Sequence, residues 1–278
     1  MAIRLGPNRY GKAEVRLVRV GGSSGIQDLN VSVALSGDLE ATHLTGDNSG
    51  VLPTDTMKNT VYAFAREHGI GSPEEFGLRL ARHFTATQPQ IKSAKITIQG
   101  YEWERLGPHS FQRRGDHIGL AEVTVVGDLE QVVGGIEGLV LMNTTDSEFH
   151  GFPRDRYTTL PETTDRILAT EVNARWRLTS GTNVLSTVKA ALTDAFVNTY
   201  SYSLQQTLYA MGSLVLEQHP EVAEIRLALP NKHHYLVDLS PFGLDNPGEV
   251  FIAGDRPYGM IEGTVTRDDA QPAIAEWF

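Results

Sequence analysis

The sequence predicts an α+β fold of two similar halves, with antiparallel sheet and helices on one face. Three observations carry this. The stretch "PQIKSAKITI" (89–98) aligns with "PEVAEIRLAL" (220–229) at an offset of 131 residues. Two amphipathic helical segments precede each copy. Strand-like segments flank each helix pair, so the order strand, strand, helix, helix, strand, strand occurs twice.

The elements follow in order. Ala13–Val20 and Leu29–Ala34 read as strands. "DTMKNTVYAFAREHG" places Met57, Val61, Phe64 and Ala65 on one side of a helix and stops it at Gly69. Its expected cap is Thr54 or Asp55. The next helix opens with Ser72, Pro73 and Glu75, the spacing of a capping box with proline at the first turn. Phe76, Leu80 and Phe84 then share a face. The repeated strand and Gly119–Val126 close the first half.

The glycine-rich "GDLEQVVGGIEG" (127–138) is read as the boundary region, dividing the chain into modules of residues 1–132 and 133–278. Beyond it come strands Gly138–Met142 and Asn173–Leu178. A helix follows with Val188, Ala191, Leu192 and Ala195 together. A second helix starts at Ser203, with Gln206 three residues on and Leu208, Met211 and Val215 as its apolar stripe. Pairing between successive strands is expected to be antiparallel, since short connections join them.

Composition excludes several functions. With 278 residues and 40% hydrophobic content, the chain can bury a sizeable core. No run of 18 apolar residues suggests a membrane helix. The start, "MAIRLGPNRYGK", lacks the apolar stretch of a secretory signal. The end, "AIAEWF", is not a Ser-Lys-Leu peroxisomal signal, which makes the cytoplasm the expected location. There are no cysteines, so disulfides, thiolate metal sites and a cysteine nucleophile are excluded. Twenty-four basic residues against 34 acidic ones leave a net charge of −10. Nucleic acid is a poor partner for such a chain, and an anionic ligand needs local positive groups.

The common catalytic motifs are missing: no P-loop, no Gly-x-Ser-x-Gly elbow, no His-Glu-x-x-His helix. "GGSSG" at 21–25 reads as a hairpin loop. The nine histidines show no ligand spacing, so no metal is expected. The starts of the helices at Thr54 and Ser203 are more informative, because amides past a cap are unpaired and attract anions or carbonyl oxygens. Lys12, at a strand start, gains interest only if it meets a hydroxyl whose proton it can take. Arg166, beside Asp165, is either an ion-pair partner or a planar fork for a ligand. In "LPNKHHY" (229–235), strand alternation puts Asn231 and His233 on one face, Lys232 and His234 on the other. An amide with an imidazole suits proton transfer better than metal binding.

Together, "RYGK", "TDTMKNTVY", "TTDSEFHGFPRDRYTTLPETTDRIL", "LQQTLY" and "LPNKHHY" resemble the urate oxidase family of the tunnelling-fold (T-fold) superfamily over nearly the whole chain. The resemblance implies two tandem T-fold modules. It implies oxidation of urate by O2 and water to 5-hydroxyisourate and hydrogen peroxide, in purine degradation, with no metal and no organic cofactor. It also implies a homotetramer, with pairs of chains closing a barrel and active sites at subunit interfaces.

By motif, Arg166 and Gln205 grip the substrate and Phe149 stacks on its ring. The backbones of Leu204 and of Asp55, the latter from a neighbouring chain, complete the hydrogen bonding. Lys12 and Thr54 form the catalytic dyad. His233 joins their relay, and Asn231 with Thr54 holds oxygen or water above the ring. Leu204 stands where the family often has valine, and His150 where it often has tryptophan. A purine- or pterin-binding protein without turnover would keep Phe149, Arg166 and Gln205 but need not keep Lys12, Thr54 and His233. A zinc-dependent pterin cyclohydrolase would need cysteine.

Overall fold

The computed structural model describes residues 3–21, 25–180, 184–254 and 256–277. In chain order its elements are β1 (Tyr10–Val20), β2 (Ile26–Gly37), α1 (Glu40–Thr45), α2 (Thr54–Glu67), α3 (Pro73–Thr87), β3 (Ile91–Tyr101), β4 (Trp103–Arg105), β5 (Phe111–Arg113), β6 (Ile118–Val126), β7 (Leu129–Asn143), β8 (Leu168–Leu178), α4 (Leu185–Asn198), α5 (Leu204–Gln218), β9 (Val222–Pro230), β10 (His233–Leu236), β11 (Phe251–Gly254) and β12 (Met260–Thr266). Eight strands form one sheet in the order β1-β2-β3-β6-β7-β8-β9-β12. Every pairing in it is antiparallel. β4–β5 and β10–β11 are separate two-stranded ribbons.

Alternation decides which face is dry. Ile96 and Ile98 of β3, Val123 of β6, and Leu227 and Leu229 of β9 are fully buried. Against them pack Phe76, Leu80 and Phe84 of α3 and Met211 and Val215 of α5, also fully buried. The opposite face carries charge: Lys95 pairs with Glu122 at 2.8 Å, and Arg175 approaches the same carboxylate at 3.8 Å. Helices therefore cover one face only, as an antiparallel sheet permits.

Local signals explain the helix ends. Ser72 accepts from the Glu75 amide while the Glu75 carboxylate accepts from the Ser72 amide, completing the capping box. Ser203 accepts from the Gln206 amide. The expected cap of α2 is corrected: Pro53 occupies that position, with φ −56°, so Thr54 and Asp55 are the first two helical residues and no side chain caps them.

The glycine-rich segment 127–138 is mostly strand. Only Gly127 and Asp128 turn; the rest is strand β7, paired to β6 from Leu129 onward. Gly134 is required there by close packing, since a Cβ would lie 2.5 Å from the Trp176 indole nitrogen. Of "GGSSG" (21–25), residues 22–24 lie outside the described residues; the Gly21 amide donates to the Gly25 carbonyl at 2.9 Å.

Each half of the sheet repeats one irregularity. The β1–β2 register shifts between Lys12 and Val15, and the β7–β8 register between Ile136 and Leu139. Glu14 and Gly138, inside these bulges, have left-handed φ of 56° and 82°. The sheet ends in β1 on one side and β12 on the other.

Candidate active site

The nine residues singled out from sequence fall into two groups. Lys12, Thr54 and Asp55 lie where β1 begins and α2 starts, at one edge of the sheet. The other six lie around β8, α5 and β9, toward the opposite edge.

In the first group, proline at the cap leaves the leading amides of α2 without a side-chain acceptor. Thr54 is half-buried. The Asp55 carboxylate turns back along its own helix to Lys58 at 2.5 Å and Asn59 at 3.0 Å. It is held below the ordinary carboxylate range, first by the Lys58 hydrogen bond and, in smaller part, by the charge of Lys12. Lys12 therefore sits within electrostatic reach of this helix start.

The second group depends on a long connection, residues 144–167, being held in place. Ser147 bridges to Ser201 and Phe149 to Thr163. Phe149 exchanges backbone hydrogen bonds with Thr163 at 2.8 and 3.1 Å. Its ring stacks on Phe152, centroids 5.0 Å apart and planes at 16°. The Arg166 guanidinium stands 5.3 Å from the Phe149 centroid. Burial pulls the Arg166 pKa down. Among the described residues no carboxylate pairs with Arg166; Asp165 instead accepts from Thr145 at 3.0 Å. The planar fork is left free for a ligand.

Ser147 does the positioning. Its carbonyl accepts from the Arg166 amide at 2.8 Å and its Oγ from Arg166 Nε at 3.3 Å. The neighbouring backbone ties to Ser201, whose hydroxyl accepts from Thr207 at 2.8 Å inside α5. Ser147, Ser201 and Thr207 are fully buried. This run of hydroxyls joins the Arg166 loop to the α5 start, where Leu204 is buried and Gln205 is exposed. Nothing in the sequence marks these serines, because "TTDS" and "YSYS" read as ordinary loop.

The opening of "LPNKHHY" is not one strand. β9 ends at Pro230 and β10 begins at His233. Between them Asn231 bridges Thr170, its amide donating to Gly259 at 2.8 Å, and the Lys232 amide donates to Ala169 at 2.8 Å. Strand alternation thus does not run unbroken from Asn231 to His233. The cause is a change of partner, from the main sheet to β11. Lys232 pairs with Glu171 at 3.1 Å. The His233 ring stacks on Tyr235, centroids 5.9 Å apart. Its pKa is lowered, first by burial and then by the charges of Arg166 and His234. Arg166 and His233 therefore share one electrostatic environment.

A group of one histidine and two carboxylates, among the described residues, lies outside both clusters. Glu102, Asp116 and His117 converge, but the Lys189 ammonium already binds Asp116 at 2.5 Å and His117 Nδ1 at 3.1 Å. A lysine fills the cationic position there.

Two clusters rich in cationic groups and free amides, each open to solvent, suit an anionic planar ligand. The uricase family model matches residues 8–124 and 132–262. The chain belongs to the uricase family. A curated uricase from Arthrobacter globiformis is 51% identical over 282 residues, covering 98% of this chain and 93% of that one. The uricase of Dictyostelium discoideum is 38% identical, covering 95% and 98%. The crystal structure of the A. globiformis uricase superposes with a TM-score of 0.95, covering 98% of both chains. Uricases are oxidoreductases, and this chain shares their mixed fold of antiparallel sheet and few helices.

Proposed function

We propose that the chain oxidises urate with O2 and water to 5-hydroxyisourate and hydrogen peroxide, in purine degradation, and that it uses neither metal nor organic cofactor. Urate loses two electrons, O2 accepts them with two protons, and water supplies the new hydroxyl. Family membership supports the substrate. The observation that carries the mechanism is the pairing of a free arginine fork with an aromatic wall and a depressed histidine.

In this reading Arg166 and Gln205 grip the urate edge, and Phe149 stacks beneath the ring and orients it. The backbone amides of Leu204 and Asp55 meet substrate oxygen or nitrogen at two helix starts. Lys12 and Thr54 form a dyad in which the lysine accepts the threonine proton. His233, whose pKa is lowered first by burial, accepts and returns protons. Asn231 and Thr54 hold O2, then water, above the ring. Fixed positive groups and amides stabilise the electron-rich dianion from which O2 draws charge.

The two clusters stand toward opposite edges of one sheet, which supports a site shared between chains: Lys12, Thr54 and Asp55 of one copy meeting the other six residues of the next. We read the halves as tandem T-fold modules, residues 1–132 and 133–278. Two chains then close a barrel edge to edge, and two barrels stack into a homotetramer in the cytoplasm. Purified protein given urate should consume oxygen and release peroxide after exhaustive chelation. Full turnover in Lys12→Met or Thr54→Ala would sink the dyad. Activity lost to a chelator and restored by metal would sink the cofactor-free reaction. Calorimetric urate binding with no oxygen uptake would favour a non-catalytic purine binder.

A further inference from the structure

The face that β1 presents changes parity at its bulge. Tyr10 and Lys12 pair with Leu35 and Val33, whereas Val15 and Leu17 pair with Val31 and Leu29. All four partners are buried. Directly opposed residues of an antiparallel pair share a face, so Tyr10, Lys12, Val15 and Leu17 all lie on the helix-covered side. Lys12 and Val15 are three positions apart. In an unbroken strand that odd spacing puts two residues on opposite faces. The extra residue of the bulge therefore brings Lys12 round to the side where α2 packs on β1. Thr54 and Asp55 begin that helix, and Asp55 feels the Lys12 charge. A regular register would set Ala13 against Val33 and Lys12 against Ala34. Lys12 would then lie on the polar face, shifted by roughly 3.3 Å along the strand.

Two residues build the bulge. Ala13 and Glu14 together oppose Ser32. Glu14 has a left-handed φ of 56°, uncommon for a residue with a Cβ. Its amide donates to Ser32 Oγ at 3.0 Å. The Glu14 side chain is exposed, so the fold uses its backbone conformation rather than its packing.

The second half provides an internal comparison. In β7, Ile136 pairs with Ala174 and Leu139 with Val172, so Glu137 and Gly138 oppose Asn173. The Gly138 amide donates to Asn173 Oδ1 at 3.0 Å, as the Glu14 amide does to Ser32. There the left-handed residue is a glycine, and the residue brought round is Ile136, fully buried in the core. One construction thus delivers a core isoleucine in one half and a half-buried lysine in the other.

We propose that the β1 bulge positions Lys12 against Thr54, with Glu14 and Ser32 as its positioning residues. This rests on the catalytic reading above, in which Lys12 takes the Thr54 proton. Neither Glu14 nor Ser32 touches the substrate in that reading. They act by fixing the face and the height at which the lysine leaves the strand.

The test is steady-state oxygen uptake with urate in four full-length variants. Glu14→Val and Glu14→Gly both remove the carboxylate. Valine resists left-handed φ and favours the regular register, whereas glycine adopts that φ freely. Glu14→Val should lose about tenfold or more in kcat, as a displaced proton acceptor does, with KM changed by less than about threefold. Glu14→Gly should recover kcat to within about threefold of the parent. Ser32→Ala should lower kcat by about three- to tenfold. Asn173→Ala breaks the matching bond away from Lys12 and should leave kcat unchanged. A thermal melt checks folding; if Glu14→Val does not fold, Ser32→Ala against Asn173→Ala decides. Full turnover in Glu14→Val or Ser32→Ala, an equal loss in Glu14→Gly and Glu14→Val, or an equal loss in Asn173→Ala and Ser32→Ala overturns the proposal. Full turnover in Lys12→Met overturns the dyad and the role of the bulge with it. Lost turnover in Lys12→Met beside full turnover in Glu14→Val overturns the bulge alone.

Discussion

Arg166 is held to Ser147 twice, by a backbone hydrogen bond of 2.8 Å and a side-chain bond from Nε to Oγ of 3.3 Å. The first fixes where the arginine leaves the backbone; the second fixes the plane of its fork. Ser147→Ala keeps the first and removes the second. The expected result is a KM for urate raised roughly five- to tenfold, about 1–1.4 kcal/mol, with kcat changed far less. A fall in kcat at constant KM would contradict this role.

Phe149 stacks on Phe152 and carries Arg166 above its ring. Phe149→Ala removes both the wall and its contact with the guanidinium. kcat/KM should fall by roughly 30- to 150-fold, or about 2–3 kcal/mol. Because the ring is only half-buried in a connection outside the main core, the melting temperature should barely move. Steady-state oxygen uptake and a thermal melt read the two effects apart.

The His233 pKa is lowered first by burial and next by Arg166. A neutral imidazole is the form that accepts a proton, so the acid limb of kcat/KM should fall below the free-histidine value of about 6.5. Arg166→Met removes one of the lowering charges, and the His233 titration followed by NMR should then move upward. The sign for stability follows by linkage. As pH falls through the unfolded value, the unfolded chain takes up this proton before the native one, so stability declines toward acid.

Glu74 is the reverse case. Burial raises its pKa above 4.5, so between the unfolded and the folded value the native state binds more proton than the unfolded chain. Its contribution to stability is greatest below the unfolded value and declines as pH rises toward the folded one. Glu74→Gln removes this dependence. The variant should melt higher than the parent at pH 8, and the gap should shrink by pH 5. A gap that widens toward acid would contradict the burial argument.

Gly134 lies under Trp176, whose indole nitrogen would stand 2.5 Å from an added Cβ. Gly134→Ala should destabilise by about 1–3 kcal/mol, read as a melting temperature several degrees lower.

Local chemistry was legible wherever it repeats or caps. The offset of 131 residues placed both copies of the central strand, and Ser72 and Ser203 sit at the helix starts their spacing predicted. Apolar periodicity found the buried faces of α2 through α5, because burial there depends on neighbours three and four residues away. The α2 cap was misread because proline at the cap leaves threonine and aspartate inside the helix. That Gly134 lies within a strand was not legible, because Trp176, whose indole crowds it, lies 42 positions further along.

By itself, then, the sequence determined the α+β class, the doubled order of elements and, through its motifs, the family and its candidate residues. Only the tertiary structure decided how those residues are grouped. Strand order carries Lys12 to one edge of the sheet and His233 toward the other. Buried hydroxyls at Ser147, Ser201 and Thr207 set the Arg166 fork. The start of α4, in the second half, lines a cleft together with Gly100 and Glu102 of the first half. These depend on pairing between segments far apart in the chain, and side-chain periodicity encodes only which face of an element is buried, not what it meets.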